Sequence, residues 1–352
     1  MSEVKRRRVP VIADVARVAG VSVPTVSRVL TGSTPVSSEL RERVTRAIAQ
    51  LGYRPNGAAR ALVQGRQSMI AVFAGNTTRY GYACTIQGIE EAARAAGFIV
   101  VITVIETDEA AVVDAGVDLL LGQPVAGAVV LEFDPAGRAA LAAMPSSLAL
   151  VAAGGSSGES PVPHVFLDDR TAAKEATRYL LGLGHRTVHH LAIPPSGGPG
   201  DRSLGWREAL EEEGVPVPEV LQARWEPISG YEIGRDLARS PDVTAVLCGN
   251  DELAIGVMRA MVEAGRSIPE DVSVVGFDGQ PVAEFVSPPL TTVEQDFVGL
   301  GRQAFGLLKQ ILEGDPEPAS VGSTPRLVVR SSTGPPPATH RTTVPASTGI
   351  TH

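Results

Sequence analysis

The sequence predicts a small helical head followed by a larger body of two α/β lobes, a fold class that combines α with α/β structure. Residues 12–52 have the periodicity of three short amphipathic helices, whereas from Met69 onward apolar strand runs alternate with amphipathic helices. The alternating region covers about 260 residues, which is more than one sheet usually holds. A chain of 352 residues is long enough for two or three domains.

Composition excludes several classes of protein. The chain is 43% hydrophobic and 20% charged, which is ordinary for a globular protein. No run of about 18 apolar residues occurs, and no apolar secretory segment follows the basic N-terminal cluster, so neither a membrane span nor a signal peptide is expected. Two cysteines are too few for a disulfide scaffold or a cysteine-rich zinc site, which fits a cytoplasmic protein.

Net charge is divided unevenly along the chain. Residues 1–66 contain 12 Lys and Arg against 4 Asp and Glu, a net charge of +8, while the rest carries −16 and the whole chain −8. A basic head on an acidic body is typical of a module that binds a polyanion such as nucleic acid. An accidental cluster, or a disordered tail bearing the KRRR run, would give the same count.

The first three helices form a helix-turn-helix pattern. The first helix ends at Gly20, and Ser22 then stands where its hydroxyl can cap the second helix, which carries Pro24 in its first turn. The third helix ends at Gly52. A tight glycine turn between the first two helices is typical of this motif.

Two segments lack such organisation. The stretch Gly57–Val63 can form a helix but is too short to be stable alone, so residues 53–67 are expected to be a hinge helix and linker. Past residue 332 the chain is rich in Pro and Thr without apolar periodicity, which predicts a disordered tail over 333–352. The head then covers residues 1–52 and the body residues 68–332.

Near-continuous apolar strands separated by helices favour parallel sheets covered on both faces. The predicted strands are Met69–Phe73, Ile99–Ile105, Ala128–Phe133, Leu148–Ala152, Val188–Ile193, Ala245–Cys248 and Val272–Phe277. The predicted helices are Ile86–Ala96, Ala111–Leu121, Ala136–Ala143, Thr171–Leu183, Arg202–Glu213, Tyr231–Ala238 and Leu253–Ala264.

The second helix has the properties of a DNA recognition helix. Its exposed side is predicted to present Val23, Pro24, Ser27 and Arg28, and recognition helices use their N-terminal residues on base edges in the major groove. Arg28 can donate two hydrogen bonds to guanine, whereas Val23 can offer only methyl contact. The hydroxyl residues Ser22, Thr25 and Ser27 suit phosphate oxygens. Taken singly, Arg28 could equally be a solvated surface charge and Ser22 a plain helix cap.

A group of polar side chains follows the predicted strands of the body. Open parallel sheets bind ligands beyond the carboxyl ends of their strands, where the sequence places Arg202, Trp225, Asn250, Asp251 and Asp278. Charged and amide groups around an indole are suited to a sugar. Asn250 and Asp278 could instead be turn formers, and Trp225 could be part of the core. Asp168, Asp169 and Glu132 also lie near strand ends but are not assigned to the site.

The sequence gives little support for catalysis. It contains no GxxxxGK[ST] phosphate loop, GxSxG nucleophile elbow or HExxH pair. His189 and His190 are neighbours in a predicted strand, so they point to opposite faces and cannot share one metal ion. We therefore expect no cofactor, no metal and no enzymatic activity.

Several motifs together resemble one family. They are Asp14–Leu62, Gln87–Phe98, Leu183–Arg186, Ala245–Gly256, Asp271–Gly279 and Pro288–Asp296. In this order they are similar to the bacterial transcription regulators of the lactose-repressor (LacI/GalR) family over about residues 11–332. The resemblance implies a homodimer that binds a pseudo-palindromic operator. It also implies a body of two lobes like those of periplasmic binding proteins.

For DNA binding, the resemblance implies roles for individual residues. Val23 and Pro24 match the positions that family members vary to choose operators, and Arg28 matches a base-contacting arginine. Leu62 matches the hinge-helix leucine that wedges into the central minor groove; a packing contact onto the body is the alternative. The DNA-contact set is completed by Asn56 and Arg60.

This sequence departs from the family at two places. The family often has Ser or Thr where Val11 stands, so a helix cap and a phosphate contact are lost. Pro24 cannot hydrogen-bond a base, so that position must be read by shape or apolar contact.

For the body, the resemblance implies an effector cleft between the lobes. Matched contact residues are Tyr82, Arg202, Trp225, Asn250, Asp278 and Phe297, with Asp251 next to them; Tyr82 and Phe297 could alternatively be structural. The leading hypothesis is a dimeric, operator-binding repressor controlled by a small-molecule effector, a sugar. The alternative is a cytoplasmic sugar-binding protein or sugar-converting enzyme whose basic head is incidental.

Overall fold

The computed structural model describes residues 10–31, 35–54, 68–154, 160–194, 200–315 and 318–338. Residue contacts divide the chain between Ser68 and Met69 into two compact units. We call them the head and the body and describe each by itself.

The head contains three helices, as predicted: α1 (Ile12–Ala19), α2 (Val23–Thr31) and α3 (Ser38–Leu51). They enclose a small core of buried side chains contributed by all three helices, namely Val15, Ala16, Ala19, Val26, Val44 and Ala47. Gly20 and Gly52 end α1 and α3 in the left-handed conformation, with φ of 64° and 60°, which glycine adopts at little cost.

The start of α1 is stabilised although Val11 offers no side-chain cap. The carboxylate of Asp14, three residues later, accepts a hydrogen bond from the Val11 amide at 3.0 Å. This is one half of a capping box. The cap lost at Val11 is therefore partly replaced from within the helix.

The first lobe of the body is a six-stranded parallel sheet with helices on both faces. Its strands run in the order β11-β5-β4-β3-β1-β2 and are β1 (Met69–Ala74), β2 (Ile99–Val104), β3 (Val125–Glu132), β4 (Leu150–Gly154), β5 (His164–Leu167) and β11 (Val321–Ser323). Its helices are α4 (Tyr80–Ala95), α5 (Ala110–Leu121), α6 (Pro135–Ala142) and α11 (Phe297–Glu313). Alternate residues of β1 enter two separate cores, one on each face of the sheet.

The second lobe repeats this design, with strand order β12-β10-β9-β8-β6-β7. Its strands are β6 (His189–Ala192), β7 (Leu221–Gln222), β8 (Ala245–Cys248), β9 (Ser273–Asp278), β10 (Thr291–Glu294) and β12 (Arg326–Val328), of which β12 is antiparallel to β10. Its helices are α7 (Asp169–Gly182), α8 (Asp201–Glu212), α9 (Pro227–Leu237) and α10 (Asp251–Glu263). The predicted two-lobed α/β body is confirmed.

The chain crosses between the lobes three times. It crosses after β5 into α7, after β10 into α11, and after β11 into β12. The crossings are hydrogen-bonded to one another: the Asp168 amide donates to the Ser323 carbonyl at 2.8 Å, and Gln295 Nε2 donates to Asp169 Oδ1 at 2.5 Å. The crossing residues thus form one connected unit.

The end of the body lies beyond its predicted limit. The Thr333 hydroxyl is 2.9 Å from the Tyr179 hydroxyl, and the Gly334 amide donates to Ser273 Oγ at 3.0 Å. The buried imidazole of His185 lies 3.0 Å from the Gly334 carbonyl. Residues 333–338 were predicted to be disordered, and this was wrong, because buried polar groups of the second lobe need these backbone partners. Residues 339–352 lie outside the described ranges.

Several elements were not predicted. The predicted helix Ile86–Ala96 begins earlier, at Tyr80, and the strands β5, β7, β10, β11 and β12 and the long helix α11 were missed. Within the described ranges, no helix is long and apolar enough to cross a membrane. The same ranges hold no group of three or more His, Cys, Asp or Glu residues that could bind a metal ion.

Candidate functional site

The N-terminal half of α2 carries the predicted DNA-contact residues of the head. Val23 is 40% exposed, Pro24 and Arg28 are exposed, and Val26 faces the core. Ser22 caps the helix, because its hydroxyl accepts from the Thr25 amide at 3.4 Å and lies 2.9 Å from the Thr25 hydroxyl. The helix therefore presents an apolar tip and a guanidinium on its free side, and Ser27, also predicted, is half-buried.

The remaining predicted DNA contacts cannot be placed. Asn56, Arg60 and Leu62, and the predicted hinge helix Gly57–Val63, lie outside the described residues.

One arginine of the basic head has a structural role that the sequence did not reveal. Arg43 on α3 donates to the Ala19 carbonyl from Nε at 3.1 Å and from Nη2 at 2.7 Å, and Nη2 also reaches the Gly20 carbonyl at 3.1 Å. These are carbonyls at the end of α1 that lack helical partners. Arg43 therefore fixes the turn that precedes the exposed helix.

The body contains a cavity of about 370 Å³ that residues of both lobes line. Ligand pockets in proteins span about 300–1,000 Å³, so this cavity can hold a small molecule. Six of the seven predicted effector contacts line it, namely Tyr82, Arg202, Trp225, Asn250, Asp278 and Phe297. The seventh, Asp251, is fully buried behind the wall.

Arg202 is the centre of the polar wall in the second lobe. Its Nε donates to Asp169 Oδ2 at 2.7 Å, its Nη2 lies 3.2 Å from Asp278 Oδ1, and its Nη1 donates to the Gly249 carbonyl. Its guanidinium carbon lies 4.0 Å from the centroid of the Phe277 ring. Two carboxylates and an aromatic face thus hold one guanidinium in a fixed orientation.

Asp278 combines strain with burial. Its φ is 103°, the one positive φ of a non-glycine residue among the described residues. Its Oδ1 is buried and accepts no aligned hydrogen bond within the described ranges. Burial raises the pKa of Asp278 to about 8, and the nearby Asp251 and Asp169 add to the shift although Arg202 opposes it. Such a residue in a cavity is a candidate ligand contact.

Asp251 supports the wall without lining it. Its carboxylate accepts from the Gln280 amide at 2.6 Å and from the Thr292 hydroxyl at 2.5 Å. Burial raises its pKa to about 6, and these two hydrogen bonds oppose the shift. Asp251 therefore holds the loop that follows Asp278 and lies next to the residues that line the cavity.

Asn250 is both a turn former and part of the wall. Its Oδ1 accepts from the Leu253 amide at 2.7 Å, which caps α10, and its Nδ2 donates to the Trp225 carbonyl at 3.1 Å. Trp225 is half-buried at the cavity rather than part of the core.

Arg79 reaches across the cleft to this tryptophan, and the sequence analysis missed it. Its guanidinium carbon lies 4.8 Å from the Trp225 ring centroid, and its Nη2 lies 3.8 Å from Glu226 Oε1. Arg79 follows β1 in the first lobe, in a loop fixed by Asn76 Oδ1, which accepts from the Arg79 amide at 2.8 Å. Asn76, which follows a predicted strand, was the feature of the sequence that could have indicated this ordered loop.

The wall in the first lobe is aromatic with one ion pair. Tyr82 is 2% exposed and donates from its hydroxyl to Asp134 Oδ2 at 2.5 Å, and Phe133 packs edge-to-face on Tyr82 and on Phe297. Glu132 at the end of β3 lies 3.3 Å from Arg138 Nε. Tyr82 is therefore largely structural, with little of its surface available to a ligand.

Glu132 and Asp169 line the cavity although the sequence analysis left them out. Both stand at the carboxyl end of a strand in the first lobe, so the rule that identified Asp278 identifies them as well. His190 also lines the cavity, with its ring nitrogens 3.0 Å from the Leu247 carbonyl and the Ser203 hydroxyl. Burial lowers the pKa of His190 to about 4, so this imidazole is neutral at physiological pH.

Comparison with known proteins places this arrangement in a family. Residues 11–56 match the family model described as bacterial regulatory proteins, lacI family, and residues 177–333 match a periplasmic binding protein-like domain. The transcriptional regulator CelR of Thermobifida fusca is 34% identical over 341 residues, covering 93% of this chain and 99% of CelR. The lactose operon repressor of Escherichia coli K12 is 31% identical over 308 residues, covering 86% and 84%.

Solved structures agree with these matches. The Lac repressor dimer bound to operator and an anti-inducer has a TM-score of 0.85 at 29% identity, covering 93% of this chain and all of that one. The CelR–cellobiose complex has a TM-score of 0.68 at 32% identity, covering 92% and 99%. A regulator from Enterococcus faecium with bound ribose has a TM-score of 0.65 at 26% identity, covering 76% and 99%. This chain therefore belongs to the lacI family of bacterial regulatory proteins.

Proposed function

We propose that this protein is a transcriptional repressor that binds operator DNA as a homodimer and is controlled by a neutral sugar bound between its lobes. The recognition helix is α2, with Arg28 as its base-reading residue and Val23 and Pro24 as apolar contacts. The observation that carries the proposal is the exposed N-terminal half of α2 in a basic head, in a chain of the lacI family.

The chemistry of the cavity supports a sugar rather than an anionic effector. The charged residues that line it are five carboxylates (Glu132, Asp169, Asp201, Glu252 and Asp278) and three arginines (Arg79, Arg138 and Arg202). Even with Asp278 protonated at neutral pH, four carboxylates outnumber three arginines, which disfavours phosphates and other anions. Carboxylate, amide and guanidinium groups suit the hydroxyl groups of a sugar. The half-buried indole of Trp225 offers a face for a sugar ring.

The same family membership supports the dimer and the cytoplasmic location, because operator DNA with two half-sites is read by paired heads inside the cell. Enzymatic activity is not part of the proposal, since the relatives compared above are described as regulators.

The DNA-binding half of the proposal is tested by selection and titration. The full-length protein is used to enrich duplexes from a random-sequence pool, and binding to the enriched and to an unrelated duplex is measured at several salt concentrations. We expect a strong preference for the enriched duplex and a steep salt dependence from phosphate contacts. Equal affinity for all duplexes would refute the proposal.

Arg28→Ala tests the reading residue. Loss of a bidentate contact to guanine costs about 1–3 kcal/mol, or about 5- to 150-fold in affinity, on the enriched duplex. The matched control is Arg46→Ala, which removes an exposed arginine from α3 of the same head. It should weaken binding to both duplexes similarly. If both variants behave alike, Arg28 does not read bases.

A further inference from the structure

We infer that Ser203 is a specificity-determining residue of the cavity: its hydroxyl proton is engaged by His190, so its oxygen accepts a hydrogen bond from the effector and does not donate one. Neither residue belongs to the contact set that the family resemblance implies. The inference rests on the proposed function and specifies which ligand group the cavity accepts beside Arg202.

Ser203 and His190 meet at the cavity wall of the second lobe. Ser203 lies in the first turn of α8 and His190 on β6, and both line the cavity. His190 Nε2 lies 3.0 Å from Ser203 Oγ, and His190 Nδ1 lies 3.0 Å from the Leu247 carbonyl oxygen. His190 is fully buried whereas Ser203 is half-buried. Ser203 is therefore the member of the pair that offers surface to a ligand.

The Leu247 carbonyl fixes the tautomer of His190. A carbonyl oxygen only accepts hydrogen bonds, so the Nδ1 atom that faces it carries the proton. Burial lowers the pKa of His190 to about 4, and the nearby Arg202 also lowers it, so the ring is neutral at physiological pH. In a neutral imidazole the second nitrogen is an acceptor. The Ser203 hydroxyl therefore donates to Nε2.

The imidazole is also held from one face. The Trp206 and His190 ring centroids lie 5.3 Å apart, with an angle of 30° between the ring planes. Trp206 is fully buried, and its Nε1 donates to the Val188 carbonyl at 2.9 Å. A ring that is packed on an indole and hydrogen-bonded at both nitrogens keeps its acceptor directed at Ser203.

With its proton engaged, the Ser203 oxygen has only acceptor capacity left for a ligand. A hydroxyl group has one donor proton and two lone pairs. A ligand O–H group can therefore bind Ser203, whereas a fluorine or an ether oxygen in the same place meets only lone pairs. A site built to hydrogen-bond one ligand group rejects the analogue that lacks it. This part of the wall thus selects a ligand donor.

The pair is suited to binding and not to nucleophilic catalysis. A general base is most effective when its pKa lies near the working pH, and the pKa of His190 lies well below it. The group that faces Nδ1 is a neutral carbonyl and not a carboxylate that would stabilise an imidazolium. His190 therefore positions the Ser203 hydroxyl without activating it.

Nitrogen NMR tests the protonation of His190 without any ligand. The full-length protein is labelled with nitrogen-15 histidine, and His190→Asn identifies the signals of this ring. We expect a neutral ring with its proton on Nδ1 between about pH 6 and pH 8. A proton on Nε2, or a charged ring at neutral pH, overturns the inference.

Calorimetric titration of the full-length protein measures the selectivity. The probes are glucose, galactose, cellobiose, maltose and lactose, and the sugar that binds most tightly is compared with its single-position deoxy and deoxyfluoro analogues. At the position that meets Ser203, both replacements should weaken binding by about fivefold or more, because neither can donate. Fluorine that binds as well as the hydroxyl at every position overturns the inference.

Ser203→Ala locates that hydroxyl. In this variant the two replacements should change binding by less than about twofold at one position, while the losses at all other positions persist, since residue and ligand group form one coupled pair. The control is Ser267→Ala, an exposed serine of the same lobe, which should keep every loss of the parent. A Ser203→Ala protein with the parent's losses at every position overturns the inference.

His190→Asn tests the positioning role. Asparagine can keep a donor for the Leu247 carbonyl but places no acceptor at the position of Nε2, so the Ser203 proton becomes free to reach a ligand. The penalty for fluorine at the located position should fall by about threefold or more. A penalty equal to that of the parent contradicts the role of His190.

DNA binding separates the two levels of failure. If none of these sugars binds while the enriched duplex is still recognised, the inference and the sugar assignment both fall and the DNA-binding proposal stands. A sugar that binds without any dependence on Ser203 removes the inference alone. Loss of sequence preference in the parent protein is instead a failure of the proposed function.

Discussion

Asp278 shows how one residue of the cavity couples protonation to stability. Burial and two neighbouring carboxylates raise its pKa to about 8, whereas an aspartate in the unfolded chain has a pKa of about 3.9. Between these pH values the folded protein binds a proton at Asp278 that the unfolded chain does not bind. The contribution of Asp278 to the free energy of unfolding therefore falls as the pH rises from about 4 to about 8 and then levels off.

Asp278→Asn should remove this slope. We expect the thermal midpoint of the ligand-free parent to fall more steeply from pH 5 to pH 8 than that of Asp278→Asn. Tryptophan fluorescence is the readout, because Trp206 and Trp225 both lie in the second lobe. Asp236→Asn, an exposed substitution on α9, is the control and should keep the parent's slope. Parallel pH profiles for the parent and Asp278→Asn would contradict the assignment.

Strand ends made part of the cavity predictable at the level of residues. Asp278 ends a strand of the second lobe, and Arg202 and Asn250 follow strands there, so the rule for parallel sheets applies directly. Arg79 was not predictable as a contact of Trp225, because the partner of a loop side chain depends on how two lobes face each other. Sequence periodicity carries no information on that geometry.

At the level of elements, α4 and α11 pack with their backbones in contact. A methyl group at Gly301 would lie 2.1 Å from the Thr85 carbonyl oxygen, and one at Gly88 would lie 2.0 Å from the Val298 carbonyl oxygen. Such distances are far inside van der Waals contact. Each helix thus uses a glycine where the other approaches, and these helices close one face of the first lobe.

Two substitutions in α11 should have opposite effects. Gly301→Ala forces the helices apart and should lower the free energy of unfolding by about 1–3 kcal/mol. Gly306 has no heavy atom within 4 Å of an added methyl group, so Gly306→Ala should raise it by about 0.5–1 kcal/mol through helix propensity. Circular dichroism at increasing denaturant concentration measures both. If both substitutions changed the free energy of unfolding equally, the close approach of α4 and α11 would not limit the size of the side chain at position 301.

The same glycines explain why α11 escaped prediction. Gly299, Gly301 and Gly306 lower the intrinsic helix propensity of this segment, and tertiary packing overrides that cost. The missed strands have a different cause. The strand β7 is two residues long, and β11 and β12 are three each. A period of two cannot be recognised over so few residues.

On the scale of the whole molecule, residues near the end of the body complete the second lobe. Gly334 supplies a carbonyl to His185 and an amide to Ser273. Both of these partners are buried.

A chain shortened to end at Ser332 should therefore be less stable than one ending at Ala338. Each buried polar group left without its partner costs about 1–3 kcal/mol, and the expected loss is at least about 2 kcal/mol. Unfolding of the second lobe is followed by tryptophan fluorescence. The chain ending at Ala338, which keeps every described residue at this end of the body, is the control. Identical stability of the two shortened chains would contradict a role for Gly334.

The number of lobes was predictable from the alternation of strands and helices, but the three crossings between the lobes were not. The third crossing, for example, depends on β11 pairing with β5 and β12 with β10, which are partners distant in the sequence. Short edge strands of this kind are specified by pairing with strands that are distant in the sequence, and not by their own residue pattern.

Two of these crossings suggest how a ligand bound in the cavity affects distant parts of the lobes. Asp169 and Phe297 both line it, and each begins a helix directly after the chain has passed between the lobes. A molecule bound in the cavity would contact the residues at which the chain passes between the lobes. If the lobes rotate about these crossings, a small displacement of Asp169 or Phe297 produces a larger displacement at the outer ends of the lobes.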